Sequence, residues 1–175
     1  RIIAGQGTAG LEIAQQAAEL ELNVDTLLVC CGGGGLTAGW AIAMHAFFPD
    51  ADIYTLEPED FDDTARSLDS GERIANSPDA RSICDALLTD MPGQLTYDIM
   101  REHIKAGLTV SDAEVREAMR FAFRNLKVVV EPGGAVGLAA VLAGKVETAG
   151  KTTAIIFSGG NVDAELFASI QTERT

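Results

Sequence analysis

The stretch Thr26–Gly35, TLLVCCGGGG, decides the fold. Thr26–Cys31 is an unbroken apolar run, which predicts a strand buried on both faces, as the strands of parallel sheets are. Gly32, Gly33, Gly34 and Gly35 follow directly, and Leu36–Phe48 then reads as a helix broken by Pro49-Asp50. A strand, a glycine run and a helix in that order leave bare backbone at the C-terminal edge of a sheet. The glycine N–H groups and the positive end of the helix dipole then form a receptor for a phosphate dianion. Four glycines cost conformational entropy on folding, so a turn with no other role rarely holds that many. No Lys-Ser/Thr pair follows, which excludes the nucleoside-triphosphate loop.

Downstream, Ala51–Leu56 reads as the next strand and ends at Glu57-Pro58. The segment from Glu59 to Gln94 is rich in Asp, Ser, Gly and Pro, and predicts a helix of about ten residues followed by loops. A helix near Tyr97–Lys105 and a strand at Leu108–Val110 come next. Ser111 with Glu114 three positions on is a capping-box signature, starting a helix to about Asn125. Glu131-Pro132-Gly133-Gly134 opens an Ala-rich helix up to Gly144, and Lys151–Phe157 is a last strand ending at Ser158-Gly159-Gly160-Asn161. Upstream, Gly5–Gly10 stands between the lead-in Arg1–Ala4, read as a strand, and a helix through about Leu20. The alternation predicts an α/β fold, a three-layer open, mostly parallel sheet with helices on both faces. No repeat or linker divides residues 1–175, so they read as one domain.

The chain carries 26 acidic and 13 basic residues, a formal net charge of -13, and no Lys/Arg cluster. That excludes a nucleic-acid surface and fits a soluble, cytoplasmic protein. No apolar run approaches the roughly 18 residues needed to cross a bilayer, which argues against a membrane partner. Cys30, Cys31 and Cys84 have no CxxC spacing and read as small, reduced residues. His45 and His103 lack zinc-ligand spacing.

Gly5–Gly10 matches the dinucleotide fingerprint GxGxxG, but the acidic residue expected at the end of the following strand is missing, since Asp25 precedes that strand. An NAD-binding Rossmann domain, or a non-catalytic binder of a phosphorylated ligand, is the alternative of another class. Ser158-Gly159-Gly160-Asn161 lies at a strand's C-terminal edge, where open α/β sheets gather ligands. It reads either as a tight turn or as a partner for a neutral ring nitrogen. Glu57, Asp60, Asp62 and Asp63 read either as the solvated first turn of a helix or as oxygen ligands for Mg²⁺ or Ca²⁺.

Taken in order, GQGT (Gly5–Thr8), GGGGL (Gly32–Leu36), EP (Glu57–Pro58), EPGGAVG (Glu131–Gly137) and SGGN (Ser158–Asn161) resemble the second half of the threonine dehydratase and serine racemase family. These are pyridoxal 5'-phosphate (PLP) enzymes of fold type II, and the resemblance runs from Arg1 to about Ala164. It implies that Gly32, Gly33, Gly34, Gly35 and Leu36 hold the cofactor phosphate, that Ser158, followed by Gly159, meets the pyridine nitrogen, and that Glu131 lies close to the cofactor. In metal-binding members the corresponding ligands imply Glu57, the Phe61 carbonyl and Asp63 for a divalent cation such as Mg²⁺. The implied reaction is β-elimination of threonine or serine to a 2-oxo acid and ammonia, with serine racemization or hydroxyaspartate dehydration as alternatives. A homodimer or tetramer is implied as well.

Two departures stand out. Ile83-Cys84-Asp85-Ala86 replaces Ile-Ala-Asp-Gly, adding a methyl group close to the expected cofactor ring, and EPGGA replaces EPTAG. The family's Schiff-base lysine belongs to a Ser-x-Lys-x-Arg-Gly motif upstream of GQGT. Lys105, Lys127, Lys145 and Lys151 lie in no such motif, so no catalytic residue is expected in this chain. It is expected to be a large-domain portion lacking the small domain and first strands.

Overall fold

The computed structural model describes residues 1–173. Four parallel strands, β1 (Thr26–Cys30), β2 (Asp52–Pro58), β3 (Ala106–Val110) and β4 (Thr153–Ile155), form one sheet in the order β3-β2-β1-β4. The register pairs Cys30 with Leu56 and Leu28 with Ile155. Parallel pairing brings the C-terminal ends of β1, β2 and β4 to a common edge, so the segments at Gly32, Glu57 and Ser158 become neighbours there.

Helices cover both faces, as expected. They are α1 (Ile2–Glu19), α2 (Gly35–Phe47), α3 (Asp63–Ser70), α4 (Gln94–His103), α5 (Asp112–Phe121), α6 (Pro132–Leu142) and α7 (Ala164–Thr172). Alternation along β1 sends successive side chains to opposite faces. Leu27 and Val29 join Trp40, Ala41 and Met44 of α2 and Ala17 of α1 in one core. Leu28 and Cys30 join Val115 and Met119 of α5, Val136 and Ala139 of α6 and Ile170 of α7 in the other. Each layer thus follows from a five-residue strand that is buried throughout.

One expectation is overturned. Gly5–Gly10 is not a loop after a strand, because α1 runs unbroken through it from Ile2. These glycines serve helix packing. A Cβ on Gly10 would stand 2.8 Å from that of Ala43, and one on Gly39 would strike the backbone of Ile3 and Gly7. The fingerprint therefore records a close α1–α2 crossing, and the dinucleotide reading loses its structural basis. The last strand is also shorter than expected, because only Thr153–Ile155 pairs with β1. The helix from Ser111 stays regular to Phe121, continues as a π-helical turn over Ala122–Leu126, and ends at Lys127, whose φ is 60°. Its capping box is formed: the Ser111 hydroxyl accepts from the Glu114 N–H at 3.3 Å, and the Glu114 carboxylate accepts from the Ser111 N–H at 2.7 Å. Among the described residues no helix is long and apolar enough to cross a membrane.

The C-terminal ends of α2 and α4 meet through a bond between the Nδ1 atoms of His45 and His103, 2.8 Å apart. One ring must supply the hydrogen and the other a lone pair, so two imidazolium ions cannot share the contact. Burial, and then the His45 charge, lowers the His103 pKa below its usual 6.5, with nearby Glu102 opposing. The unfolded chain binds this proton more readily. The stabilisation is therefore present above about pH 6.5 and lost as pH falls through the folded-state pKa. The melting-temperature advantage of wild type over His103→Gln is expected to shrink between about pH 7.5 and 5.5. A pH-independent difference would contradict this.

Candidate cofactor site

The cavity at the C-terminal edge of the sheet has a volume of about 350 Å³. The glycine run and Leu36 line it on one side, Ala86 and Leu87 on another, and Cys30, Glu131 and Ser158 close it. Ile2 and Gln6 of α1 also reach it, so residues from the first turn of the chain to Ser158 meet in one place. Gly159 packs against the Glu131 carboxylate.

The glycine run is built to offer donors. Cys31 still uses its N–H in the sheet, to the Leu56 carbonyl at 2.9 Å, and Ala38 makes the first helical bond, to Gly34 at 2.9 Å. Between them, from Gly32 through Thr37, no backbone N–H has an acceptor among the described residues. Helix N-termini leave such donors open, and their positive potential favours an anion. Gly34 caps α2 with φ 83°, where side chains are strained, and its Cβ would lie 2.8 Å from both Thr96 Oγ1 and Met100 Cε. A Cβ on Gly33 would meet nothing. Its carbonyl is instead pinned from below, accepting from Thr96 Oγ1 at 2.6 Å. The Thr37 hydroxyl donates to the Cys30 carbonyl at 3.2 Å, tying the first turn of α2 back to the strand. Free donors, absent side chains and a fixed backbone fit a phosphate monoester.

The opposite wall is held by Glu131. Its N–H donates to the Gly159 carbonyl at 3.0 Å and its carboxylate accepts from the Asn161 N–H at 2.9 Å. A Cβ at Gly159 would stand 2.6 Å from that carboxylate and would push it off its bond to Asn161. Ser158 is thereby presented at the cavity, with its Oγ 3.1 Å from Cys30 Sγ. Ala86 lines the same space, and its Cβ would sit 3.5 Å from one placed on Gly133. None of the four lysines lines it.

At the end of β2 the acidic residues separate into two kinds. Asp60 is exposed, whereas Glu57 and Asp63 are 0% and 1% exposed, which corrects the picture of a solvated helix start for these two. The Glu57 oxygens accept the N–H groups of Thr64 and Ala65 at 3.0 and 2.8 Å, capping α3. Asp63 accepts from Asn76 through Oδ1, and its Oδ2 is buried without a partner. Burial, and then the Asp63 charge, pushes Glu57 up to about 8; burial pushes Asp63 up to about 6. Phe61 is buried on the turn between them. Among the described residues no group of three or more His, Cys, Asp and Glu side chains is placed to hold a metal.

Of the residues singled out in the sequence, Gly32–Gly35, Leu36, Ala86, Glu131 and Ser158 line this cavity and Gly159 packs behind Glu131, whereas Cys30, Thr37 and Leu87 line it without a signal there and Thr96 lies beneath the glycine run. Cys30 was legible only through strand register. Thr96 had no local signal, because its contact spans 63 positions.

A parallel sheet thus gathers a donor loop that fits a phosphate, a serine and a glutamate at its C-terminal edge, where open α/β sheets bind their ligands. Residues 1–159 match the family model of pyridoxal-phosphate dependent enzymes, and the chain belongs to that family. It is 42% identical over 169 residues to an L-threo-3-hydroxyaspartate ammonia-lyase of Pseudomonas sp., covering 97% of this chain and 51% of that protein. It is 39% identical over 167 residues to the serine racemase of Schizosaccharomyces pombe, covering 95% and 50%. Among solved structures, the threonine deaminase of T.th. superposes with a TM-score of 0.87 at 42% identity, over 92% of this chain and 57% of that one. The chain spans about half the length of the curated relatives it matches.

Replacing Gly34 by Ala forces a side chain into a left-handed conformation and against Thr96. The expected loss is about 2–4 kcal/mol of stability, read from urea unfolding, against about 1 kcal/mol for Thr96→Val. Equal small losses would show that the loop tolerates a Cβ.

Proposed function

We propose that this chain is the phosphate-anchoring, large-domain portion of a PLP-dependent ammonia-lyase that eliminates water and ammonia from a small hydroxy-amino acid, threonine or serine, leaving a 2-oxo acid. The observation that carries this reading is the row of free N–H donors from Gly32 to Thr37 facing Ser158 and Glu131 in one cavity. When bound, the cofactor supplies an electron-accepting ring that stabilises charge at the substrate's α-carbon. The chain's own residues do the holding. Gly32–Gly35 and Leu36 would offer N–H groups to the phosphate, the Ser158 hydroxyl would donate to the ring nitrogen, and Glu131 fixes the loop that carries Ser158. A serine partner would leave that nitrogen neutral, and the ring would then supply the weaker electron sink that suits β-elimination. None of the chain's four lysines lines the cavity, so a lysine to hold the cofactor and take the α-proton would have to come from another part of the protein.

A hydroxyaspartate substrate is the second reading, supported by the 42% identical relative that bears that name. Serine racemization is the third, supported by the 39% identical racemase. Homo-oligomerisation as a dimer or tetramer is supported by apolar side chains exposed on α1 and α2, among them Leu11 and Ile42. A cytoplasmic setting is supported by three free, buried cysteines.

The full-length protein is expected to absorb near roughly 410–420 nm, as lysine-bound PLP does, and to release 2-oxo acid from one of threonine, serine or 3-hydroxyaspartate. Absence of that band would sink the reading, and D-serine appearing from L-serine without oxo-acid release would favour the racemase.

The Asp63 oxygen that lacks a partner supports a divalent-cation site formed by Glu57, the Phe61 carbonyl and Asp63. Two buried carboxylates repel each other, and an oxygen-seeking cation between them would offset that repulsion. Mg²⁺ is expected to raise the melting temperature of wild type, and Asp63→Asn to abolish that rise. An unchanged melting temperature in chelator and in Mg²⁺ would remove the site.

A further inference from the structure

Ser158 closes the cavity with a hydroxyl that can donate one hydrogen and accept two. Its contact within the chain is unusual, because the Oγ lies 3.1 Å from the thiol of Cys30, the last residue of β1. Cys30 lines the same cavity and is buried at the junction of strand and glycine run. Two strands that pair directly therefore bring their ends together, one with a thiol and one with a hydroxyl.

We infer that Cys30 is a positioning residue for Ser158: its S–H donates to the serine oxygen, so that the serine's one hydrogen is free for the cofactor's ring nitrogen. This inference rests on the cofactor reading given above. A pyridine nitrogen accepts hydrogen bonds far better than a thiol sulfur, so the hydroxyl hydrogen goes to the ring when both are offered. The thiol then has a hydrogen of its own and an acceptor lone pair at Ser158 within reach. Burial, opposed by Ser158, raises the Cys30 pKa, and the neighbouring Glu131 charge adds to the rise. The sulfur thus keeps its hydrogen across the neutral range. The opposite polarity, Ser158 donating to sulfur, would turn lone pairs toward the ring and favour a protonated nitrogen. The direction of the Cys30–Ser158 bond therefore sets which protonation state of the ring the site favours.

Cys30 acts through Ser158 in this scheme, so the test is a double-mutant cycle in the full-length, cofactor-loaded protein. The variants are Cys30→Ala, Ser158→Ala and the pair, with Cys30→Ser as the conservative replacement. The readouts are the cofactor dissociation constant and the pH dependence of its absorbance band, besides kcat and KM. Cys30→Ala is expected to weaken cofactor binding roughly three- to tenfold, about the worth of one hydrogen bond, and to lower kcat with KM nearly unchanged. Cys30→Ser is expected to restore both, because a hydroxyl donates at that position as well. In the Ser158→Ala background, Cys30→Ala is expected to change nothing further. An equal loss in both backgrounds, or no rescue by serine, would overturn the inference and leave Cys30 a packing residue. Should Cys30→Ala fold poorly, the pH dependence of the band still decides. Cys30→Val, which fills the space without a donor, must then shift that profile while Cys30→Ser keeps it; a profile retained in Cys30→Val, or shifted in Cys30→Ser, overturns the inference. Failure of the cofactor reading looks different, since wild type itself would then show no band.

Discussion

The open backbone donors between Cys31 and Ala38 are the constraint on which the site depends. A helix that starts directly at a sheet edge must leave its first N–H groups without carbonyl partners, and here the glycine run extends that row back to Gly32. Exposing them to a cavity requires the backbone to be bare and fixed together. Bareness comes from glycine, most strictly at Gly34, where a positive φ coincides with contact against Thr96 and Met100. Fixity comes from α4, whose Thr96 grips the Gly33 carbonyl, and α4 is in turn joined to α2 at their far ends through His45 and His103. The loop is thus held by two helices that are themselves coupled.

The facing wall uses a different device. Glu131 precedes Pro132 at the start of α6, where a carboxylate is favoured by the helix dipole, and the same side chain clasps the Ser158–Asn161 loop. Gly159 leaves room for that clasp, since a side chain there would displace the carboxylate. The two motifs, separated in sequence, are therefore one structural unit. The buried pair Glu57 and Asp63 forms a third element on the same edge, joining β2 to α3 by capping it.

The fold layers were legible in the sequence because β1 is short, wholly apolar and followed by glycine, which leaves few alternatives to a buried parallel strand. The helix from Ser111 was legible for a local reason too, its capping box. The GxGxxG segment misled because glycine spacing at a tight loop and glycine spacing at a close helix crossing look alike. Only the neighbour at Gly39 distinguishes them. The acidic cluster misled in part, because burial of Glu57 and Asp63 depends on elements that arrive later in the chain.

By itself the sequence determined the order of strands and helices from β1 to β4, the bare loop after β1 and the residue types offered at each strand end, since these follow from local hydrophobic periodicity and backbone freedom. The tertiary structure decided which of those residues meet. Pairing of β1 with β4 brings Cys30 to Ser158, a backbone bond joins the start of α6 at Glu131 to Gly159, and helix packing places Thr96 under Gly33. Such contacts span 28 to 128 positions, as with Glu131 and Gly159 at one end and Cys30 and Ser158 at the other, and no local preference encodes them. They exist because the sheet brings distant strand ends to one edge.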